Sequence, residues 1–379
     1  MTSHFSLPFA RLATVLAAVI ATGCNNGVMP TGDVPDASSS SDSSVVAMDT
    51  GRDVPSVAED RPDPGFDVPV PEDASQYDAM VATHRYELQF PSELRAGEEI
   101  TKCLIVPLGN MGDEFVRRIY VTLGDASHHL IVYKSSTRML RDQAFDCQGF
   151  SGIRSLMDFD TPLAIAQMRE TTVQMPNGVG MPIDRGEYVR LEFHAVNATA
   201  ATVRALGRVI IDTVDQTAPL AAANLMFWGN VSINLPPNAP GDVDIFQNPL
   251  PAVRVFGLTS HTHHLGTRAT IHRATATRTP SGQGNIFTNI VDGTLLHESR
   301  NWSEPPLTLF DPPITFAAGE GLHLNCHYQN TTNQRVTFGE SVNNEMCFLW
   351  AYYYPAPRGL HICAKGYTPN GSVVCWPPA

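Results

Sequence analysis

Three short segments of this 379-residue chain concentrate side chains that bind metals. His128-His129 sits in GDASHHLIVY, His194 in YVRLEFHAVN, and His261-Thr262-His263-His264 in GLTSHTHHLG. One histidine is ordinarily structural or solvated, but six in strand-like segments point to metal ligation. Strand alternation sorts them. Along Tyr188–His194, Val189, Leu191 and Phe193 share one face, and Arg190, Glu192 and His194 the other, so His194 turns away from the apolar layer. His261 and His263 share a face about 7 Å apart along a strand, a spacing that suits chelation of one ion. His264 points the other way, as a packing or supporting residue. His128 and His129 point to opposite faces of a regular strand. Both can hold one ion only if the backbone is irregular at the loop–strand junction after Gly124-Asp125. In NNEMCFLW, Met346 alternates with Cys347 and falls on the face of Phe348 and Trp350. A thioether there is either core filling or a soft metal ligand.

The elements that must position these residues are short and strand-like. Tyr86–Phe90, Arg118–Leu123, Leu130–Tyr133, Tyr188–Phe193, Val203–Ile211, Leu225–Ile233, Ala252–Leu258, Ala269–Arg273, Leu322–Tyr328 and Phe348–Tyr354 alternate and are broken by Gly, Pro, Asn and Asp. One short helix is expected near Leu163–Met168, and the Pro-rich passage Leu235–Pro251 reads as a loop or crossing. The fold class is therefore all-β, with two antiparallel β-sandwich domains over 81–222 and 223–379.

Charge and composition set the rest apart. The chain carries a formal net charge of −13, which argues against a nucleic-acid partner. Twelve acidic and two basic residues lie in 24–80, a Ser/Pro-rich stretch that reads as a disordered, self-repelling tether. Before it, Arg11 and the small apolar run Leu12–Thr22 form a leader too short for a bilayer span. Ala21-Thr22-Gly23-Cys24 resembles a bacterial lipobox, so residues 1–23 are read as a lipoprotein signal and Cys24 as the lipidated residue. The protein is expected to be exported and lipid-anchored to the cell envelope, at the outer membrane or cell surface. Apart from Cys24, six cysteines remain at 103, 147, 326, 347, 363 and 375. An even number in an oxidising compartment suggests three disulfides. Cys326 shares a strand face with Leu324 and Tyr328, which allows a bridge to Cys347 on the buried side.

The ordered set HH, FHxxN, HTHHLG, NCxY and EMC resembles the copper type II, ascorbate-dependent monooxygenases over roughly residues 84–356. The resemblance implies two coppers per chain facing each other across a solvent-filled cleft between the sandwiches. It implies that His128, His129 and His194 hold an electron-transfer copper. His261, His263 and Met346 then hold the catalytic, oxygen-binding copper, beside which substrate binds. It also implies the bridges Cys103–Cys147 and Cys326–Cys347, to which Cys363–Cys375 is an addition. The donor types suit copper, since Cu(I) favours thioether sulfur and Cu(II) favours imidazole. The expected activity is hydroxylation of a C–H bond with dioxygen and a reductant, ascorbate or an equivalent electron donor.

Departures from the family bear on the substrate. Thr259 stands where the peptide-processing member carries a carboxylate-anchoring arginine. Phe348 and Trp350 replace an asparagine and a substrate-contacting tyrosine. These three residues suggest a pocket for a small apolar or aromatic molecule rather than a glycine-extended peptide. The competing readings are a copper-binding or copper-storage lipoprotein without oxygenase activity, and an adhesion or carbohydrate-binding sandwich whose histidines hold zinc.

Overall fold

Side chains that alternate between core and solvent produce two facing sheets in the first half of the chain. The computed structural model describes residues 82–147, 160–249, 252–356, 359 and 361–376, all within one compact unit. The leader, the tether and Cys24 lie outside the described residues. One sheet orders His84–Leu94, Val203–Asp215, Glu114–Leu123, Val179–Ile183 and Ala221–Ala222, with Glu170–Gln174 also on Glu114–Leu123. The other orders Arg141–Asp146, Glu99–Pro107, Tyr188–Val196, Ser127–Lys134 and Thr161–Ala166. Phe90, Val121, Leu130, Leu191 and Phe193 belong to the buried cluster formed with them.

The second half forms a ten-stranded sheet. Its order is Ala239–Gln247, Glu320–Asn330, Gly266–Ser281, Gly284–Ser299, Val373–Trp376, His361–Lys365, Asn224–Asn230, Phe348–Tyr354, Arg254–His261 and Thr308–Thr315. Two central strands are buried on both faces. Leu225, Phe227, Phe348, Trp350 and Tyr352 join the cluster of the first half, whereas Met226, Trp228, Leu349, Ala351 and Tyr353 form a second core. That double burial explains the near-continuous apolar runs LMFW and FLWAYYY. Each large side chain so buried contributes about 1.5–3 kcal/mol. The architecture is all-β with antiparallel sheets dominating, as the alternation predicts.

Three sequence expectations need correction. The helix expected near Leu163–Met168 is a strand, Thr161–Ala166, whose six residues are all buried. It pairs with Ser127–Lys134, and Ile165 N donates to Tyr352 Oη at 3.3 Å. With both faces covered, it shows no alternation to read. Most of the passage Leu235–Pro251 is also a strand, Ala239–Gln247, paired with Glu320–Asn330. Its Pro240 and acidic residues are tolerated because it is the edge strand of the ten. Finally, the run Leu225–Ile233 stops as a strand at Asn230, whose side chain bonds Asp244 O and Ser232 N instead of continuing the ladder.

A repeated device relates the two halves. His194-Ala195-Val196-Asn197-Ala198-Thr199 and His327-Tyr328-Gln329-Asn330-Thr331-Thr332 share the pattern HxxNxT. Asn197 Nδ2 donates to Leu94 O, Arg95 O and Ala201 O, and its Oδ1 accepts from Thr199. Asn330 repeats the arrangement with Leu235 O, Pro236 O, Gln334 O and Thr332. The neighbouring strands are irregular at the matching place, between Ser127 and His129 and between Gly266 and Arg268. Tight turns precede both, with Ser127 N bonded to Gly124 O and Gly266 N to His263 O. The first half carries His128 and His129 on the strand leaving this turn, and the second has His261 at the end of the strand entering it and His263 in the turn itself.

The three bridges Cys103–Cys147, Cys326–Cys347 and Cys363–Cys375 are all formed. Cys103–Cys147 spans 44 residues. Closing a loop of that size is worth about 4 kcal/mol on the chain-entropy model.

Candidate metal centre

The irregularity between Ser127 and His129 supplies what the HH pair requires. Ala126 adopts φ 62, and the shift lets both rings turn to one side, with their Nδ1 atoms 3.0 Å apart. His129 lies directly opposite His194 in the ladder, and the ring centroids are 5.0 Å apart. The three histidines are buried and present ligand atoms all within 4.8 Å of one another. His194 donates Nε2–H to Glu99 Oε1 at 2.9 Å, which leaves its Nδ1 lone pair for a metal.

His261 ends the strand Arg254–His261, and His263 follows in the turn closed by Gly266. Any larger residue at 266 meets Thr262, because a Cβ there lies 2.4 Å from Thr262 Oγ1. The His261 and His263 rings stand 5.2 Å apart, as the shared face predicts. His261 donates Nδ1–H to Gln167 Oε1 at 2.5 Å, and His263 donates Nδ1–H to Asn344 O at 3.1 Å. Both therefore turn Nε2 toward the centre, and that of His263 is buried without a hydrogen-bond partner. His264 is exposed and donates to Val342 O at 2.5 Å, a supporting role.

Glu345 organises this turn. Its fully buried carboxylate accepts from His263 N at 2.9 Å, Leu265 N at 2.7 Å and Met346 N at 3.3 Å. Burial raises its pKa to about 7 against those three donors. Met346 is buried with Phe348 and Trp350 in one cluster, while Cys347 and Leu349 lie in the other, as alternation requires. Phe348 and Trp350 both pack on Phe227, with centroids 5.9 Å and 4.8 Å away. Thr259 Oγ1 accepts from Gln167 Nε2 at 3.2 Å.

The two histidine sets abut instead of facing one another across solvent. His261 lies 5.7 Å from His128 and 5.2 Å from His129 by ring centroids, and His263 lies 6.0 Å from His128. Gln167, Glu99 and Trp302 hold the halves at this separation. Trp302 lies over His128 at 5.3 Å and edges His264 at 6.3 Å. Burial drives the pKa of His128, His129 and His261 well below 6.5, and that of His263 to about 4. Neighbouring imidazoles add to the effect. Neutral rings with inward-facing lone pairs, buried where protons are disfavoured, fit a metal cation.

The comparisons agree with this chemistry. Residues 243–372 match the profile of the family described as copper type II ascorbate-dependent monooxygenase, C-terminal domain. Over those residues the chain is similar to that family's C-terminal domain. Among curated proteins none matches it. The crystal structure of the STIV MCP aligns at 11% identity and TM-score 0.33, over 71% of this chain and 96% of that chain. The major capsid protein P2 from bacteriophage PM2 aligns at 9% identity and TM-score 0.29, over 73% and 99%. Likeness at that level carries no functional argument. No helix among the described residues is long and apolar enough to cross a membrane.

Sequence reasoning missed Glu99, Gln167, Trp302 and the role of Glu345. Glu345 lay inside the EMC motif and was readable as an acid beside the candidate ligand Met346. Glu99 and Gln167 act across 95 and 94 residues on histidines that local spacing cannot connect to them.

Proposed function

We propose that the protein is an exported copper monooxygenase that hydroxylates a C–H bond of a small, neutral apolar or aromatic molecule with dioxygen. In this reading residues 81–222 hold one copper at His128, His129 and His194, and residues 223–379 hold a second at His261, His263 and Met346. Copper supplies one-electron redox steps between Cu(I) and Cu(II), with ascorbate or an equivalent donor returning the electrons. The observation that carries the reading is the convergence of five buried imidazoles, three of which, His194, His261 and His263, direct a protonated nitrogen outward at Glu99, Gln167 and Asn344.

The chain's own residues do the positioning. Glu99, Gln167 and Asn344 O fix ring tautomers, and Glu345 ties the turn that carries His263 to the backbone N–H of Met346. Phe348 and Trp350 provide apolar area worth about 25 cal/mol per Å² on contact with a substrate. They are packed on Phe227 here, so substrate entry requires those contacts to open. Thr259 offers no cation for a carboxylate. Arg190 is engaged by Asp160 at 2.8 Å and Glu192 at 3.4 Å in the first half. The lipobox reading adds an envelope anchor at Cys24, with small-molecule substrate and electron donor as the partners.

The test offers copper-loaded protein a reductant and equal concentrations of a hippurate-type acid and a neutral aromatic of similar size. Oxygen uptake coupled to hydroxylated aromatic supports the proposal. Faster hydroxylation of the acid contradicts the apolar pocket. Copper binding without product on any substrate favours the storage reading, and zinc in place of copper on purification favours the zinc-binding sandwich.

A further inference from the structure

Glu99 touches both halves of the centre. Its Oε1 accepts His194 Nε2–H at 2.9 Å and Val342 N–H at 2.9 Å, and its Oε2 accepts Ser341 Oγ–H at 3.0 Å. The segment it grips supports the other histidines. Val342 O accepts from His264, and Asn344 O accepts from His263, while Asn344 N is bonded to Ser341 O at 2.8 Å. Glu345 then returns to the backbone of His263 and Leu265. One carboxylate from the strand Glu99–Pro107 thus lies one hydrogen bond from a first-half ligand. It lies one bond from the segment that orients the second-half turn.

We infer that Glu99 is a positioning residue that couples the two histidine sets, so that the tautomers of His263 and His264 depend on a carboxylate in the other half of the chain. The function proposed above gives this coupling its significance, but the coupling itself is a property of the metal-free protein. Its failure is therefore distinguishable from failure of the copper reading. A purely local role for Glu99 predicts that only His194 responds to its removal. Coupling predicts that His263 and His264 respond as well, and it is reciprocal.

The experiment uses metal-free full-length protein with histidine ring nitrogens labelled, and reads tautomers by NMR together with amide exchange at Val342. In Glu99→Ala, His194 should lose its fixed Nε2–H tautomer, and His263 and His264 their Nδ1–H tautomers. Exchange at Val342 should accelerate on the order of tenfold or more as that N–H loses its acceptor. His297, held by Ser260 and Thr308, should be unchanged. Glu99→Gln should restore the wild-type pattern, because its Oε1 can serve His194 and Val342 while its amide donates to Ser341 Oγ. If Glu99→Ala does not fold, Ser341→Ala removes one contact from the opposite side and should still shift the His194 signals. A response confined to His194 in Glu99→Ala overturns the inference. So does no response of His194 to Ser341→Ala, or a Glu99→Gln protein that behaves like the alanine variant.

Discussion

Glu345 accepts the backbone N–H of His263 at 2.9 Å across 82 residues of sequence, and Met346 follows it directly. The methionine and the histidine of one candidate ligand set are thereby tied through a single buried carboxylate rather than through the strands that carry them. The Cys326–Cys347 bridge fixes the same segment from its other side.

Replacing Glu345 by alanine should orphan the N–H groups of His263 and Leu265, each costing about 1–3 kcal/mol when buried and unmatched. Glu345→Gln keeps one acceptor and should lose less. Urea midpoints of the two variants against wild type check the order, and equal midpoints for all three would show that the carboxylate does not hold the turn.

Replacing His261 and His263 together by alanine should reduce copper from two ions to one per chain, measured by elemental analysis after dialysis. His128→Ala with His129→Ala should do the same from the other side. Two coppers retained in either double variant would mean that the ligand sets are wrongly assigned.

Met346→His exchanges a soft thioether for a harder donor. The variant should keep its copper on three imidazoles and lose oxygenation. X-ray absorption of the Cu(I) form should lose its sulfur scatterer, and an unchanged sulfur signal would remove Met346 from the ligand set.

The histidines that converge were largely legible in the sequence, and their supports were not. HTH reads directly because two residues of one strand keep a shared face wherever the strand lies. HH needed a backbone irregularity that the sequence could require but not demonstrate, and the Ser127/His129 shift provides it. Ala239–Gln247 alternates over Asp242, Val243, Asp244 and Ile245, but the prolines and glycine around that short run read as a loop. Thr161–Ala166 shows no alternation, since both its faces are buried. The meeting of Glu99 with Ser341 and Val342 depends on tertiary packing alone, which no local pattern records.

His323 offers a pH test away from the centre. It lies between Asp292, 2.6 Å from Nδ1, and Asp244, 3.5 Å from Nε2, with Asn325 and His272 beside it and Lys365 on Asp244. Burial opposes its charge, and the bonds to Asp244 and Asp292 outweigh burial, so its pKa is raised above 6.5. A raised histidine pKa contributes stability that is complete below 6.5 and is lost as pH rises through the folded value. Melting temperatures taken from about pH 6 to pH 8.5 should therefore fall more steeply for wild type than for His323→Gln. Parallel curves would contradict the pairing.

The most direct test of the account supplies copper-loaded protein with ascorbate, a neutral aromatic substrate and dioxygen labelled with heavy oxygen, and measures label in the product by mass spectrometry. One labelled oxygen atom per hydroxylated product is expected, with incorporation abolished when His261 and His263 are alanine. Unlabelled product, or labelled product that persists in that double variant, would contradict the account.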